Sequence, residues 1–374
     1  MPLNDLTTPA LLLDVDILDR NLASMQERAN HLRVALRPHI KTHKSPEIAR
    51  RQIGHGARGL TVSTLWEAQQ FAAAGFDDLT WALPLPPVYA RQAVALAERM
   101  TLRLLVDSPE ALDALGAEAR RTGARPRVWL KVDCGAHRAG VDPASAAALD
   151  MARRIADGPF VFEGILTHAG QSYNATNRPE LAAIAAHERD VMVSFAEHLR
   201  GNGIAVPGIS IGSTPTMRTV DRLDGITEIR PGNYAFFDLT QAELGVCDVA
   251  NCAVTVLASV ISHRSGSDIV ITDAGALALS EDRGAVHLGR TRGMGRVYRN
   301  YAEKDLFPET ELEIRSLSQE HGTLSVHADG PWRVGERIRI LEHHSCLTAA
   351  QFDRYTVVRG EEIIDAWPIL RGRT

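Results

Sequence analysis

Arg37-Pro38-His39-Ile40-Lys41-Thr42-His43-Lys44 follows the apolar run Val34-Ala35-Leu36. It reads as the end of a buried strand that opens into a loop. Strand side chains alternate between faces, so Arg37, His39 and Lys41 are expected on one face, with Lys41 outermost. A lysine there, among cationic neighbours, is placed for a lowered pKa. A neutral amine is what a Schiff base with a carbonyl compound requires. From this segment alone, a solvated basic strand exit fits equally well.

Outward from this segment, short apolar runs alternate with periodic, Ala-rich stretches. The runs are Val34–Leu36, Gly59–Val62, Leu79–Ala82, Leu102–Val106, Arg127–Val132, Phe160–Thr167, Gly208–Ile211 and Ile226–Ile229. Helices are expected over Thr64–Ala74, Pro109–Thr122, Ala144–Ala156 and Pro179–Arg200. Thr64 with Glu67, and Ser108 before Pro109 and Glu110, supply helix-start chemistry. Asp16 is expected to cap a helix over 17–31. Eight strand candidates, each followed by a helix, argue for a parallel sheet closed as a (β/α)8 TIM barrel. An open doubly wound sheet is the alternative. No GxGxxG follows the first strand, which counts against a dinucleotide fold.

After about residue 245 helical periodicity nearly vanishes. Val254–His263, Asp268–Thr272, Glu311–Leu317, Gly335–Leu341 and Tyr355–Arg359 read as strands, with turns at Ser265-Gly-Ser, Asp329-Gly-Pro and Arg359-Gly. A mostly antiparallel β domain is expected. The division is a barrel over 15–245 and a β-rich domain over 1–14 plus 246–374. Ala10–Asp14 could join either part and is placed with the second.

The totals narrow the classes. A chain of 374 residues suits two domains. A net charge of −5 gives no reason to expect nucleic acid or an anionic membrane as partner. No run of 18 apolar residues is present to span a bilayer. The start, Met1-Pro-Leu-Asn-Asp, has no basic or apolar leader, so no secretory signal is expected. The four cysteines, Cys134, Cys247, Cys252 and Cys346, form no CxxC and suit a reducing cytoplasm.

Barrel enzymes build sites at the carboxyl ends of their strands. There the chain carries Lys41, the Asp133–Gly140 segment, His168-Ala-Gly-Gln171-Ser-Tyr173, Gly212-Ser213-Thr214-Pro215-Thr216 and Arg230-Pro-Gly232-Asn233-Tyr234. Gly-Ser-Thr-Pro opens a helix and offers hydroxyls and N–H groups to an anion. Taken alone it is also a plain capped loop. The loops after strands seven and eight are the usual phosphate site of such a barrel. A phosphate cradle facing a Schiff-base lysine implies pyridoxal 5′-phosphate (PLP).

These segments carry a family likeness. The chain resembles the fold-type III PLP enzymes, with the barrel of alanine racemase, and within them the D-serine dehydratase and D-threonine aldolase group. Arg37–Lys44, Asp133–Gly140, His168–Tyr173, Gly212–Thr216 and Arg230–Tyr234 match in order. The likeness continues through Asp273-Ala-Gly, Asp282-Arg-Gly, Gln319-Glu-His-Gly322 and His344-Ser-Cys346. Thr61-Val-Ser-Thr64 and Phe236-Phe-Asp238-Leu are similar to the D-threo-3-hydroxyaspartate dehydratase branch. The resemblance implies roles. Lys41 carries the Schiff base. Ser213, Thr214, Gly232 and Asn233 bind the phosphate. His168 lies against the pyridine face, and Arg138 approaches the phenolic oxygen. Gln171 and Tyr173 line the ring or substrate side. Arg230 meets the pyridine nitrogen and keeps it unprotonated, since two cations at hydrogen-bond distance repel. It also implies a homodimer.

His344-Ser345-Cys346 is expected on a strand, where donors two apart share a face and suit Zn2+. An incidental pair reads the same without context. In the family the matching His-x-Cys or His-x-Asp is the metal pair, so the resemblance implies a divalent metal at His344 and Cys346, Zn2+ first, with Mn2+, Mg2+ or Co2+ as alternatives. His343 is expected to face away, and Glu320-His321 is retained as a contributor around the metal. The implied activity is that of a lyase on D-amino acids with a β-hydroxyl. Within the group His-x-Cys accompanies dehydratases, giving a 2-oxo acid and ammonia. His-x-Asp accompanies aldolases, giving glycine and an aldehyde, as in D-threonine aldolase. A non-catalytic PLP-binding protein shares the barrel but lacks the β domain, so residues 245–374 argue against it.

Overall fold

The computed structural model describes residues 3–289, 293–298, 309–326 and 332–373. The turn expected at Asp329 lies outside them. The chain divides into two compact units. One is Met25–Lys41, Ile48–Gly232 and Gly372–Thr374, and the other is Met1–Ser24, Thr42–Glu47 and Asn233–Arg371.

The first unit holds the eight parallel strands Ala35–Leu36, Leu60–Val62, Asp78–Pro84, Thr101–Val106, Arg127–Lys131, Val161–Leu166, Gly208–Ile211 and Glu228–Ile229. From the second strand to the eighth they pair in chain order, and the eighth pairs with the first. A parallel bridge from His39 to Thr61 closes the ring, so the sheet is the expected barrel rather than an open one. The helices start as their sequences direct. Thr64 Oγ1 accepts from Glu67 N at 3.0 Å, and Ser108 Oγ accepts from Ala111 N at 3.3 Å. The latter helix ends at Gly123 in the left-handed region, φ 76°.

The first strand is shorter than the sequence suggests. Its regular pairing ends at Leu36, and Ile40–Thr42 is already a turn of 3-10 helix. Arg37 therefore does not join Lys41. Its guanidinium reaches the amino-terminal end of the barrel, where Nε binds Glu228 Oε2 at 2.6 Å and Nη1 binds Asp78 Oδ1 at 2.5 Å. Arg103 binds the same Asp78 and also Glu163, and Arg127 binds Glu163. Charges of alternating sign thus line this end, beside a cavity of about 270 Å³ that Arg37, Arg103, Trp129, Glu163 and Glu228 help to line. Gly59 is required here, because a Cβ on it would lie 2.2 Å from Arg37 Nη1.

In the second unit six strands close on themselves. They are Val254–His263, Ile269–Thr272, Gly322–Ser325, Glu309–Leu317, Arg296–Tyr298 and Arg337–Leu341, which returns to the first. Ala10–Asp14 pairs antiparallel with Val254–His263 and parallel with Arg354–Arg359, and Glu362–Pro368 completes the edge. Leu11, Leu12 and Leu13 are each at most 1% exposed, so the strand is buried on both faces. Burial on this scale contributes about 1.5–3 kcal/mol per leucine. Asp14 at its end, not Asp16, caps the next helix, Val15–His31, since its carboxylate accepts from the N–H groups of Asp16 and Ile17. No described helix is long and apolar enough to cross a membrane.

Arg37 is 1% exposed and satisfies two carboxylates. Arg37→Met leaves Glu228 and Asp78 facing an apolar stem, and is expected to destabilise the protein by about 3–5 kcal/mol. Urea denaturation at pH 7 measures it, and a loss below about 1 kcal/mol would show that the buried pairs matter little.

Candidate active site

In the barrel unit, Lys41 sits exposed on the 3-10 turn that replaces the strand end. Its backbone N–H donates to His39 Nδ1 at 3.4 Å, so His39 shapes this turn. His168 follows the strand Val161–Leu166, and its Nδ1 lies 3.5 Å from the carbonyl oxygen of Gly212. The ring is held well below the usual imidazole range, first by burial and then by the positive charges of Lys41, Lys131, Arg138 and Arg230. It is therefore neutral at pH 7. Four cations from three strand ends act on this one ring.

Arg230 is 5% exposed. Its guanidinium donates to Ser210 Oγ and to the carbonyl of Thr167. Burial lowers its pKa to about 10, although Glu228 and Glu188 act to raise it. Ser213 caps the helix Thr214–Thr219 in a reciprocal box. Ser213 Oγ accepts from Thr216 N at 3.3 Å, and Ser213 N donates to Thr216 Oγ1 at 3.0 Å. Ser213 Oγ also lies 3.0 Å from Ser172 Oγ. Thr214 and Gly232 are buried in the same unit, whereas Tyr173 is half-buried and Arg138 exposed. Gln171 Nε2 donates to the carbonyl of Cys134 at 3.1 Å, while its Oε1 is buried without a partner.

Two residues that the sequence did not single out shape this region. Glu188, on the helix Arg178–Gly201, is fully buried, and Oε1 accepts from the N–H groups of Ala169 and Gly212, each at 3.0 Å. One carboxylate thus pins the loops after two strands. It lies in a charged stretch, His187-Glu188-Arg189-Asp190, that reads as solvated surface. Lys131 ends its strand 7% exposed, and burial, then Arg230, lower its pKa to about 8. Cys134 is buried, and its thiol is pushed up to about 11, first by burial and then by Glu188, so it is no nucleophile.

The second unit holds the His-x-Cys pair, and the expectation of a strand fails there. The strand Arg337–Leu341 has ended, and His344 is the N-cap of a short helix, Ser345–Ala349. Asp238 explains why. This buried carboxylate accepts from Ser345 N at 3.1 Å, from Gln241 N at 3.0 Å and from Asn233 Nδ2 at 2.7 Å, tying two helix starts together. Asn233 also donates to Ser345 Oγ at 3.0 Å, so its side chain is committed here and only its backbone remains for an anion.

His344 Nδ1 lies 2.8 Å from Asp282 Oδ2, which leaves Nε2 as the ring's other donor atom. Burial opposes charge on this ring. Hydrogen bonds to Asp282 and Cys346, with the fields of Cys346 and Asp238, nonetheless push its pKa up to about 11. Cys346 Sγ is 3.4 Å from the hydroxyl of Thr42, the residue after Lys41 in the chain. Among the described residues no group of three or more His, Cys, Asp or Glu is arranged to hold a metal. His343 is buried, and Glu320 and His321 are exposed in the turn between Glu309–Leu317 and Gly322–Ser325.

Comparisons with known proteins give the family. Residues 13–240 match the alanine racemase N-terminal domain, and residues 253–358 a putative serine dehydratase domain. The chain is 40% identical to D-threo-3-hydroxyaspartate dehydratase of Delftia sp. over 98% of each chain. It is 34% identical to D-serine dehydratase of Dictyostelium discoideum over 97% of this chain and 96% of that one. A solved structure of D-threo-3-hydroxyaspartate dehydratase, a cysteine-to-alanine variant in the metal-free form, superposes with a TM-score of 0.95 at 39% identity over 100% of both chains. The chain belongs to the family that joins an alanine racemase N-terminal domain to a serine dehydratase domain.

Proposed function

We propose that the protein is a PLP- and divalent-metal-dependent lyase that dehydrates D-3-hydroxy amino acids, the eliminated product then taking water back to give a 2-oxo acid and ammonia. 3-Hydroxy-D-aspartate and D-serine are the first candidate substrates. The observation that carries the cofactor reading is the convergence of Lys41, Lys131, Arg138 and Arg230 on a neutral His168. A phosphorylated pyridine aldehyde supplies both the carbonyl for one amine and the negative charge that such a cluster favours.

Lys41 Nζ would attach the cofactor and, once displaced, take the proton from Cα. Ser213, Thr214 and the backbone of Gly232 and Asn233 would bind the phosphate. His168, being neutral, would lie on the ring face without adding charge. Arg138 would meet the phenolic oxygen, and Gln171 and Tyr173 the ring edge or the substrate. Arg230 would face the ring nitrogen and keep it unprotonated. His344 and Cys346 would hold the metal, and the soft sulfur with an imidazole favours Zn2+. Asp282 and Asp238, which raise the proton affinity of His344, favour a divalent cation there as well. Bound there, PLP supplies an electron sink and the metal a Lewis acid for the departing hydroxyl. A homodimer is the expected assembly, and light scattering tests it.

A panel of D- and L-serine, threonine and 3-hydroxyaspartate separates the readings. Release of 2-oxo acid and ammonia from D-isomers, lost with chelator and restored by Zn2+, is the expected outcome. Aldehyde and glycine would instead indicate the retro-aldol reaction. Lys41→Ala is expected to remove the yellow absorbance and to lower activity by at least about 10²–10⁴-fold. Full activity in Cys346→Ala would remove the metal from the reaction.

Lys131 gives a pH test. Its folded pKa, about 8, lies below the ordinary 10.5, so its charge burdens the folded state at every pH below about 8. The burden fades as the pH rises toward 10.5, because the unfolded chain then binds the extra proton. Without cofactor, Lys131→Met is expected to be more stable than wild type by on the order of 2 kcal/mol at pH 7, with little difference near pH 10. Urea midpoints at the two pH values measure this, and an equal gain at both would refute it.

A further inference from the structure

Arg230 is a buried cation whose two direct acceptors, the Ser210 hydroxyl and the Thr167 carbonyl, are both neutral. Its compensation comes one bond further on. Ser210 has a single hydroxyl proton and donates it to Glu228 Oε1 at 2.7 Å. Its lone pairs are thereby turned toward Arg230. Glu228 itself is fixed, because Oε2 accepts from Arg37 Nε at 2.6 Å, and Arg37 is anchored to Asp78. A continuous line, Arg37–Glu228–Ser210–Arg230, thus runs from the amino-terminal end of the barrel to the residues at its carboxyl ends.

We propose that Glu228, acting through Ser210, positions Arg230 and supplies the negative charge that keeps it cationic before the ring nitrogen of the cofactor. The inference rests on the reading that PLP occupies the barrel, and it adds two positioning residues to that site. Neither Glu228 nor Ser210 would touch the cofactor. The polarity of the relay is set by chemistry. A carboxylate between two arginines accepts only, so the hydroxyl must donate toward it and accept from Arg230. The other charged groups facing Arg230 are Glu188, which adds to the compensation, Arg37, which opposes it, and Cys134, neutral as a thiol. Lys131 also faces it, and His168 is neutral beside it. Glu188 holds two backbone N–H groups through Oε1, and its Oε2 makes no hydrogen bond that would link it to Arg230. Glu228 is therefore the anion connected to Arg230 by hydrogen bonds through a single side chain.

Ser210→Ala cuts the relay and leaves the Arg37–Glu228 pair intact. Ser210→Thr restores the hydroxyl. The readouts are PLP affinity by absorbance titration and the pH midpoint of the visible band of bound PLP, which a purely structural role would not move. Ser210→Ala is expected to bind PLP about 5–10-fold more weakly and to shift that midpoint by at least about half a unit, with Ser210→Thr overlying wild type. A Ser210→Ala titration that overlies wild type overturns the inference while leaving the PLP reading intact. Absence of any visible band when PLP is added to wild type overturns both. Should Ser210→Ala fail to fold, Glu228→Gln keeps an acceptor for the hydroxyl without the charge. It is expected to show the same shift of midpoint, and an unshifted midpoint there overturns the relay.

Discussion

The barrel is organised around the problem of burying arginine. Arg37 and Arg230 are both at most 5% exposed, and a guanidinium in that setting is tolerated only with charge and hydrogen bonds supplied to it. Glu228 meets both needs, binding Arg37 directly and Arg230 through Ser210. The eighth strand is only two residues long, yet it begins with the carboxylate that links the two arginines. The Arg230 N–H donates to the Ile211 carbonyl at 2.9 Å and holds the backbone, while the hydrogen-bonded line holds the guanidinium.

Much of this was legible. Helix-start residues such as Thr64 and Ser108 work locally, so sequence reads them directly. The eight barrel strands and the change of texture near residue 245 follow from apolar spacing. The failures have a common cause. Asp16 reads as the cap from sequence, whereas Asp14 takes that place because the paired strand Ala10–Asp14 ends the extended segment there. His344 and Cys346 read as strand residues because the carboxylate that starts their helix, Asp238, lies more than a hundred residues earlier. Glu188 and Glu228 are indistinguishable from solvated acids until the fold brings N–H groups or arginines to them. Ser210 left a trace, as the one polar residue inside Gly208–Ile211.

The short strands Arg296–Tyr298, Gly322–Ser325 and Glu362–Pro368 escaped for another reason. Each is too brief or too exposed to show alternation, and each is defined by its partner in a closed or edge-extended sheet. The barrel floor was misread in a related way. Arg37 looked like a neighbour of Lys41 because strand alternation places side-chain roots, not the heads of long side chains. A guanidinium can reach back along its strand, and two carboxylates at the amino-terminal end are enough to take it there.

The two candidate centres sort their ligands by charge. Around His168, burial first and then the lysines and arginines that the barrel unit gathers lower the proton affinity of the imidazole. Around His344 the second unit gathers Asp282, Asp238 and Cys346, and the imidazole responds by holding its proton far above the ordinary range. The same side chain is thus a probe of opposite fields in one protein. A field that expels a proton from histidine attracts a phosphorylated, anionic ring, and one that retains a proton attracts a divalent cation. Asp282 then does for His344 what Ser210 and Glu228 do for Arg230, since in each case a bonded neighbour sets the direction in which the functional atom points.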